Sequence, residues 1–382
     1  MTAGAGPVQD AGLRTVAKDD RQDTDRPGEE PVYEPIGPGW NAGTREAADD
    51  AGWEPQPAGP ARVALSLAFS DWLRSVRTVR FWLVSAAVPL VTSLAAWILV
   101  VAVAPQAQQA DQLFGAYLLA AALIPATSSF LALHWAVARV RHFPGHRGGG
   151  PISPVPGPLA AFFAVAARGP LVAALALLLL SVLAGIAGVS ADMAGTAAGV
   201  VVLEFAVFGA IGAGLSEMFR RRWLAVTFGW TVAGALVVGN AVAVWALLPA
   251  VRADEPVAVT MNVVRGSGGI PEAYECAPEL AGMAEVFHTE RIVWMLASNP
   301  VVLLIMLADE GEGNREVMGW MHGVLQEAAD GTQVPCVNGE PRTKDDPRMP
   351  LEVVGLVTQG VLAGGILAGG QLAAVRRSGS VG

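Results

Sequence analysis

Six runs of mostly apolar residues constrain the fold of this chain more than any other feature. A helix needs about 20 such residues to cross the roughly 30 Å of hydrocarbon in a bilayer. Runs of that length, bounded by charged or polar residues, lie at 81–104, 113–138, 169–190, 195–219, 223–250 and 351–375. Because 53% of the residues are hydrophobic and only 15% are charged, the composition excludes a water-soluble protein. We predict an all-α integral membrane protein with transmembrane helices 1–5 within 81–250 and helix 6, with a short tail, within 351–382.

The positions of the arginines predict how these helices are oriented. Lys and Arg near helix ends are retained on the cytoplasmic side of a membrane. Thirteen arginines fall in alternate connections, namely Arg62, Arg74, Arg77, Arg80, Arg139, Arg141, Arg147, Arg168, Arg220, Arg221, Arg222, Arg376 and Arg377. The connections at 105–112 and 191–194 contain no basic residue, and 251–350 has seven basic against sixteen acidic residues. We expect a multi-pass protein of the plasma membrane with both termini inside and residues 251–350 outside the cell.

The first 60 residues differ in composition from the rest of the chain. They hold twelve acidic and five basic side chains, which accounts for most of the net charge of −9, and they show no apolar periodicity. A segment of this composition cannot bury a hydrophobic core. Residues 1–60 are therefore predicted to be a disordered acidic tail in the cytoplasm.

Residues 61–80 are predicted to form an amphipathic helix on the cytoplasmic surface. One helical face is apolar and carries Leu65, Phe69, Trp72, Leu73, Val76 and Val79. Asp71, Arg74 and Arg77 lie on other faces. Two interpretations remain open: an anchor in the membrane surface, or a lever that a cytoplasmic partner contacts.

The connection at 139–157 is basic at its start and then rich in Gly and Pro, which predicts an irregular cytoplasmic loop. His142 and His146 are four residues apart, a spacing that could hold a metal on a helix. Pro144 and Gly145 lie between them and no Cys or carboxylate is near. We interpret the loop as a charged, partner-facing patch and predict no metal site.

Glu204 is the most informative single residue, because it lies near the bilayer middle in predicted helix 4. A carboxylate at that depth is costly and by default indicates a functional site. The rise of a helix places four polar residues of other helices at roughly the same depth, namely Thr127, Ser128, Asn240 and Gln359. We predict that Glu204 hydrogen-bonds one or more of them, either as a structural contact or as part of a transport pathway.

The outer segment, 251–350, contains both cysteines. Cys276 and Cys336 would face an oxidising compartment, so a disulfide is expected, with two buried free thiols as the alternative. The apolar stretch at 292–308 is marginal for crossing and is interrupted by Asn299 and Pro300. A seventh span would also place the last arginines outside, so we predict re-entrant or interfacial helices here.

Predicted helix 6 contains two small-xxx-small repeats. They are formed by Gly360 with Gly364 and by Gly365 with Gly369. Such repeats permit close approach of helix backbones. We favour packing within the chain over a dimer interface.

The sequence does not predict an enzyme. The two lysines, Lys18 and Lys344, follow Ala17 and Thr343, so no Gly-Lys-Ser/Thr phosphate loop exists in this chain. His134 is the one histidine inside a predicted span, and a single imidazole makes no catalytic constellation. We predict no cofactor bound by this chain, no nucleic-acid partner, and ATP use by a partner subunit if transport is ATP-driven.

The layout resembles the membrane subunit of type-2 ABC exporters. Similar features are the amphipathic helix at 62–80, the cytoplasmic connection at 139–157 and the large outer segment at 251–350. The stretch 294–300 also resembles a segment common in actinobacterial permease-like proteins, and some family members carry an outer disulfide.

The resemblance implies two permease subunits, as a homodimer or a pair with a second permease, working with a separate ABC ATPase. It also implies an ATPase-coupling surface, formed by Arg74, Arg77, Arg80, Arg139, Arg141 and Arg147. The alternative is a membrane scaffold or sensor whose outer segment binds a ligand. An ion-coupled transporter is less consistent, because we find one midplane carboxylate and no clear internal repeat.

Overall fold

The computed structural model describes residues 60–140, 157–266, 271–308, 318–331, 336–337, 340–341 and 350–379. These residues all fall within the unit Pro57–Gly382. The predictions for the tail and for Arg141, His142, His146 and Arg147 concern residues outside this set.

The described residues are mostly helical, and the prediction of six helices long and apolar enough to span a membrane is confirmed. An additional helix, α1 (Pro60–Val76), precedes them. The six spans are α2 (Val79–Val103), α3 (Gln109–Arg139), α4 with α5 (Gly157–Ala166, Gly169–Ala187), α6 (Asp192–Met218), α7 with α8 (Arg222–Gly234, Asn240–Leu247) and α11 (Leu351–Gly379). Below, the end of the bundle that carries Arg139, Arg168, Arg222 and Arg377 is called the arginine end.

Two of the spans are interrupted, which the apolar runs did not predict. The third breaks between α4 and α5, at Ala167 and Arg168. The fifth contains a π-helical turn, Ala235–Gly239, between α7 and α8, and ends in a 3₁₀ turn, Leu248–Val251. Each interruption changes the backbone hydrogen bonding, which is tolerated at membrane depth only where protein satisfies the displaced groups.

Helix α6 forms the centre of the bundle, packed against α3, α4, α5 and α11. Its large side chains, such as Phe205, Phe208 and Ile211, are fully buried. The outer spans instead expose apolar side chains, for example Leu83 of α2 and Val361 of α11. An outward apolar surface is what a bundle in contact with lipid requires.

A long β-hairpin follows the fifth span. Strands β1 (Arg252–Arg265) and β2 (Pro271–Phe287) pair antiparallel, and a disulfide joins Cys276 to Cys336 in the short strand β3 (Cys336–Val337), which pairs with β4 (Glu340–Pro341). The predicted disulfide is therefore present, whereas the hairpin was not predicted. A two-stranded ribbon is marginally stable by itself, so the cross-link constrains an otherwise weak element.

The chain then forms 3₁₀ turns at Thr289–Arg291 and Val293–Ser298, α9 (Pro300–Ala308) and α10 (Met318–Asp330). The predicted break is confirmed, since Asn299 is extended, with φ −80° and ψ 128°. With nine residues, α9 is about 13 Å long and too short to span. It packs against α3, α6 and α11, with Leu303 and Leu304 fully buried. Residues Val293–Ala308 are called the inserted segment below.

Candidate functional site

The carboxylate of Glu204 lies at the centre of a buried polar cluster in which three helices meet. Glu204, on α6, is 0% exposed. The Gln359 amide of α11 donates to its Oε1 at 3.0 Å, and the Ser129 hydroxyl of α3 lies 3.1 Å from its Oε2. Neither partner carries a charge. The cluster therefore joins α3, α6 and α11 through neutral hydrogen-bonding groups.

The same cluster continues into the inserted segment. Gln359 Nε2 also donates to the Ser298 carbonyl at 3.0 Å, so the two hydrogens of one amide join α6 to the segment. Asn299 Nδ2 donates to the Val237 carbonyl at 2.7 Å and to Asn240 Oδ1 at 3.2 Å. The core network, defined as Ser129, Glu204, Asn240, Ser298, Asn299 and Gln359, thus extends from α3 to the interrupted fifth span.

This network satisfies carbonyl groups that irregular backbone leaves available. Val237 belongs to the π-helical turn, and Ser298 ends a 3₁₀ turn. Unpaired backbone groups at membrane depth cost several kcal/mol each. The amide side chains of Asn299 and Gln359 supply donors to the π-helical turn of the fifth span and to the 3₁₀ turn of the inserted segment.

Glu204 is buried, and so are three of the four residues predicted to lie at its level, namely Ser128, Asn240 and Gln359. Two of these predicted partners, Asn240 and Gln359, belong to the core network. The predicted contact between Glu204 and Gln359 is present, and Asn240 bonds the inserted segment through Asn299 and the Met295 carbonyl. Thr127 instead lies 3.1 Å from Thr92 of α2. Ser128 is buried and makes no hydrogen bond to the described residues.

The serine that contacts Glu204 is Ser129, one position beyond the predicted Ser128. The rise per residue predicts how far along a helix a side chain lies, but not in which direction around the helix axis it points. The side chains of successive residues point about 100° apart around that axis. Ser298 and Asn299 were also missed as partners. In the sequence, the polar residue Asn299 within the apolar stretch 292–308 was the one indication of these contacts.

A second polar cluster attaches α1 to the arginine end. Asp71 of α1 pairs with Arg139 at 2.5 Å and with Arg168 at 2.6 Å. Ser75, one turn later, accepts from Arg168 at 2.7 Å and from Arg139 at 3.2 Å. These four residues, Asp71, Ser75, Arg139 and Arg168, are called the docking cluster.

Arg168 is the buried member of the docking cluster. The sequence pattern placed it in a cytoplasmic loop, but it lies in the break between α4 and α5 and is 1% exposed. Its guanidinium also sits over the Trp135 ring, 5.7 Å from the centroid. The break between the two helices directs this side chain inward, where Asp71 neutralises it.

Helix α1 packs on the bundle through small side chains and not through its large apolar ones. A face of small residues, Ala64, Ala68 and Ser75, is buried, and α1 packs against α4. The apolar residues Leu65 and Phe69 are 50% and 59% exposed. That apolar face is therefore available to the membrane surface, as the anchor interpretation requires.

The residues of the predicted ATPase-coupling surface fall into three groups. Three are exposed, namely Arg74 on α1, Arg77 just after it and Arg80 in the first turn of α2. Arg139 belongs to the docking cluster, where its guanidinium is paired with Asp71 and holds α1. Its side chain is 32% exposed. Arg141 and Arg147 lie outside the described residues.

A third buried contact joins α6 and α11 at the arginine end. The Arg377 guanidinium donates to the Glu217 carboxylate at 2.9 Å and also to the Glu217 carbonyl. The Glu217 side chain is 1% exposed. The two buried glutamates of α6 thus have different partners, a cation for Glu217 and neutral groups for Glu204.

Among the described residues, no group of three or more His, Cys, Asp or Glu side chains could hold a metal ion. No protein-family model matches the chain, and no curated protein matches it. The resemblance to type-2 ABC exporters thus lies in the helix layout alone.

Replacing Gln359 with Leu is expected to lower the free energy of unfolding by about 1–2 kcal/mol, because it removes the donor from two buried acceptors. Chemical denaturation in detergent, followed by circular dichroism, measures this change. Gln371→Leu on the same helix is the matched control, since the Gln371 amide nitrogen is buried without a hydrogen-bond partner among the described residues. Equal losses for both variants would contradict a stabilising role for the Gln359 bridge.

Proposed function

We propose that this chain is the membrane-spanning permease subunit of an ABC exporter, driven by a separate ATP-binding subunit. The observation that carries the proposal is the attachment of α1. A helix that precedes the first span is fixed by two ion pairs to Asp71, while Arg74 and Arg77 of the same region are exposed. Such a helix can be contacted by a partner and is connected to the transmembrane core.

The docking cluster gives this connection a physical route. Asp71 pairs with the end of α3 and with the break between α4 and α5, so a displacement of α1 acts on two spans at once. A partner changes the conformation of the bundle only if it binds two states with different affinity. We expect an ATPase to bind α1 differently in its ATP-bound and ATP-free states.

The sequence supplies independent support. The chain has no Gly-Lys-Ser/Thr phosphate loop, so the energy source would be a different polypeptide. Two permease subunits, identical or paired with a second permease, would assemble with two ATPases. The arginine end would then face the cytoplasm, and the hairpin would lie outside.

Reversing the charges of Arg74 and Arg77 together, Arg74→Glu with Arg77→Glu, is expected to weaken ATPase association by on the order of tenfold or more. Both side chains are exposed, so the bundle should remain folded. The measurement is the amount of ABC ATPase that co-purifies with the tagged chain from its native membranes, identified by mass spectrometry.

The control is Arg62→Glu, because Arg62 is also exposed on α1 but lies about 18 Å from Arg74 along the helix. It should retain the ATPase. If the wild-type chain co-purifies with no ABC ATPase, the proposed function is wrong. If the double variant retains it fully, α1 is not the coupling element.

One observation favours a second candidate, a membrane sensor or scaffold with an outer ligand-binding segment. The long hairpin exposes apolar side chains, among them Val259, Val264 and Met283, which a bound ligand would cover. Binding of an envelope component to the hairpin, together with the absence of a co-purifying ATPase, would favour this candidate.

A further inference from the structure

Glu204 differs from the other buried charged side chains in the described part of the chain. Arg168 is paired with Asp71, and Glu217 is paired with Arg377. Among the described residues, the Glu204 carboxylate has two hydrogen-bond partners, the Ser129 hydroxyl and the Gln359 amide. A carboxylate charge with no cation at this depth would be strongly destabilising.

The hydrogen-bond inventory of Ser129 points to the protonated form. Its hydroxyl lies 3.1 Å from Glu204 Oε2 and 3.1 Å from the Pro125 carbonyl, but it has only one hydrogen to donate. If Glu204 is ionised, only one of these contacts is a full hydrogen bond. If Glu204 is a neutral acid, its Oε2–H donates to Ser129, and Ser129 donates to Pro125, so both contacts are satisfied.

No titratable group on the described elements around Glu204 forms an ion pair with its carboxylate. These groups lie within or at the ends of α6 and the helices packed against it: Asp111, Tyr117, His134 and Arg139 of α3, Arg168 between α4 and α5, Asp192 and Glu217 of α6, Arg222 of α7, and Glu352, Arg376 and Arg377 of α11. The Tyr117 hydroxyl donates instead to the Ser190 carbonyl, 3.4 Å away. Among the described residues none of them hydrogen-bonds or ion-pairs with Glu204.

We propose that Glu204 is a proton-binding site in the bundle core, and that its bound proton holds the inserted segment in place. Loss of the proton leaves a negative charge that needs water or a cation. Gln359 joins Glu204 directly to the Ser298 carbonyl, so hydration of the carboxylate separates the inserted segment from α6 and α11. This assignment does not depend on the proposed ABC function.

The first test is infrared spectroscopy of the purified full-length chain at neutral pH. Exposed carboxyl groups are ionised there, so the carbonyl band of a protonated carboxylic acid reports buried acids alone. We expect this band in the wild-type protein, its loss in Glu204→Gln, and its retention in the control Glu217→Gln. Absence of the band from the wild-type protein, or its survival in Glu204→Gln, would overturn the assignment; the wild-type spectrum decides even if a variant fails to fold.

The second test addresses the inserted segment by hydrogen–deuterium exchange. The amide side chain introduced by Glu204→Gln would keep a permanent N–H donor toward Ser129, so this variant mimics the protonated state at every pH. The ratio of wild-type to variant exchange over 293–308, taken at equal pH, should rise severalfold from neutral to alkaline pH. A ratio that stays constant with pH would show that the proton does not hold the segment.

Discussion

Asp71→Asn is expected to release α1 from the bundle and to lower the free energy of unfolding by about 3 kcal/mol. The change leaves the Arg168 guanidinium, 2% exposed in its side chain, without its counter-ion. Breaking a buried ion pair from one side typically costs about 3–5 kcal/mol, and we take the lower end because Asp71 itself is 15% exposed. Denaturation in detergent measures the loss, and limited proteolysis between α1 and α2 detects the release.

Arg139→Gln is the control for this prediction. Arg139 contacts the same carboxylate but is 32% exposed, so water replaces much of the lost interaction and the cost should stay near or below about 1 kcal/mol. Equal losses for Asp71→Asn and Arg139→Gln would mean that the buried position of Arg168 does not decide the stability of the docking cluster.

Gly370→Ala is expected to destabilise the contact between α6 and α11 by about 3 kcal/mol. An added Cβ at Gly370 would lie 2.6 Å from both Cα and the carbonyl oxygen of Gly214. These are backbone atoms, which cannot rotate away as a flexible side chain does. The two helices would have to separate, and the nearby Glu217–Arg377 pair would separate with them.

Gly364→Ala on the same helix should have the opposite sign. No atom lies within 4 Å of a Cβ at that position, and alanine has the higher helix propensity by up to about 1 kcal/mol. Thermal unfolding of the two variants in one detergent compares them directly. A destabilised Gly364→Ala, together with an unchanged Gly370→Ala, would show that the packed face of α11 has been assigned wrongly.

The surroundings of the α11 glycines also correct the interpretation of the repeats. Gly360, Gly364 and Gly365 were expected to pack within the chain, yet none has an atom within 4 Å of an added Cβ, and only Gly369 approaches a neighbour, the flexible end of Met218. The α11 glycines at which an added Cβ would meet backbone atoms are Gly355 and Gly370, outside the repeats. A small-xxx-small repeat permits close approach between two helices. The position of the neighbouring helix decides which face of α11 is packed.

The six spans were predictable because each satisfies its own backbone hydrogen bonds within lipid, so length and apolar composition suffice. The disulfide was predictable from two cysteines in one segment. The hairpin was not predicted, because apolar runs of helix length do not reveal strands. In the structure the burial of β1 alternates along Arg252–Val257, as a strand with one covered face requires.

The sequence by itself therefore determined how many helices long enough and apolar enough to span a membrane the described residues form, where each lies in the chain, and the level of Glu204 along its own helix. Only the tertiary structure decided which groups meet: Ser129 with Glu204, Arg168 with Asp71, and Gln359 with the Ser298 carbonyl. Depth follows from local rise along one helix. Partnership depends on the rotation of each helix and on where a break redirects its backbone, and both are set by packing between segments far apart in the chain.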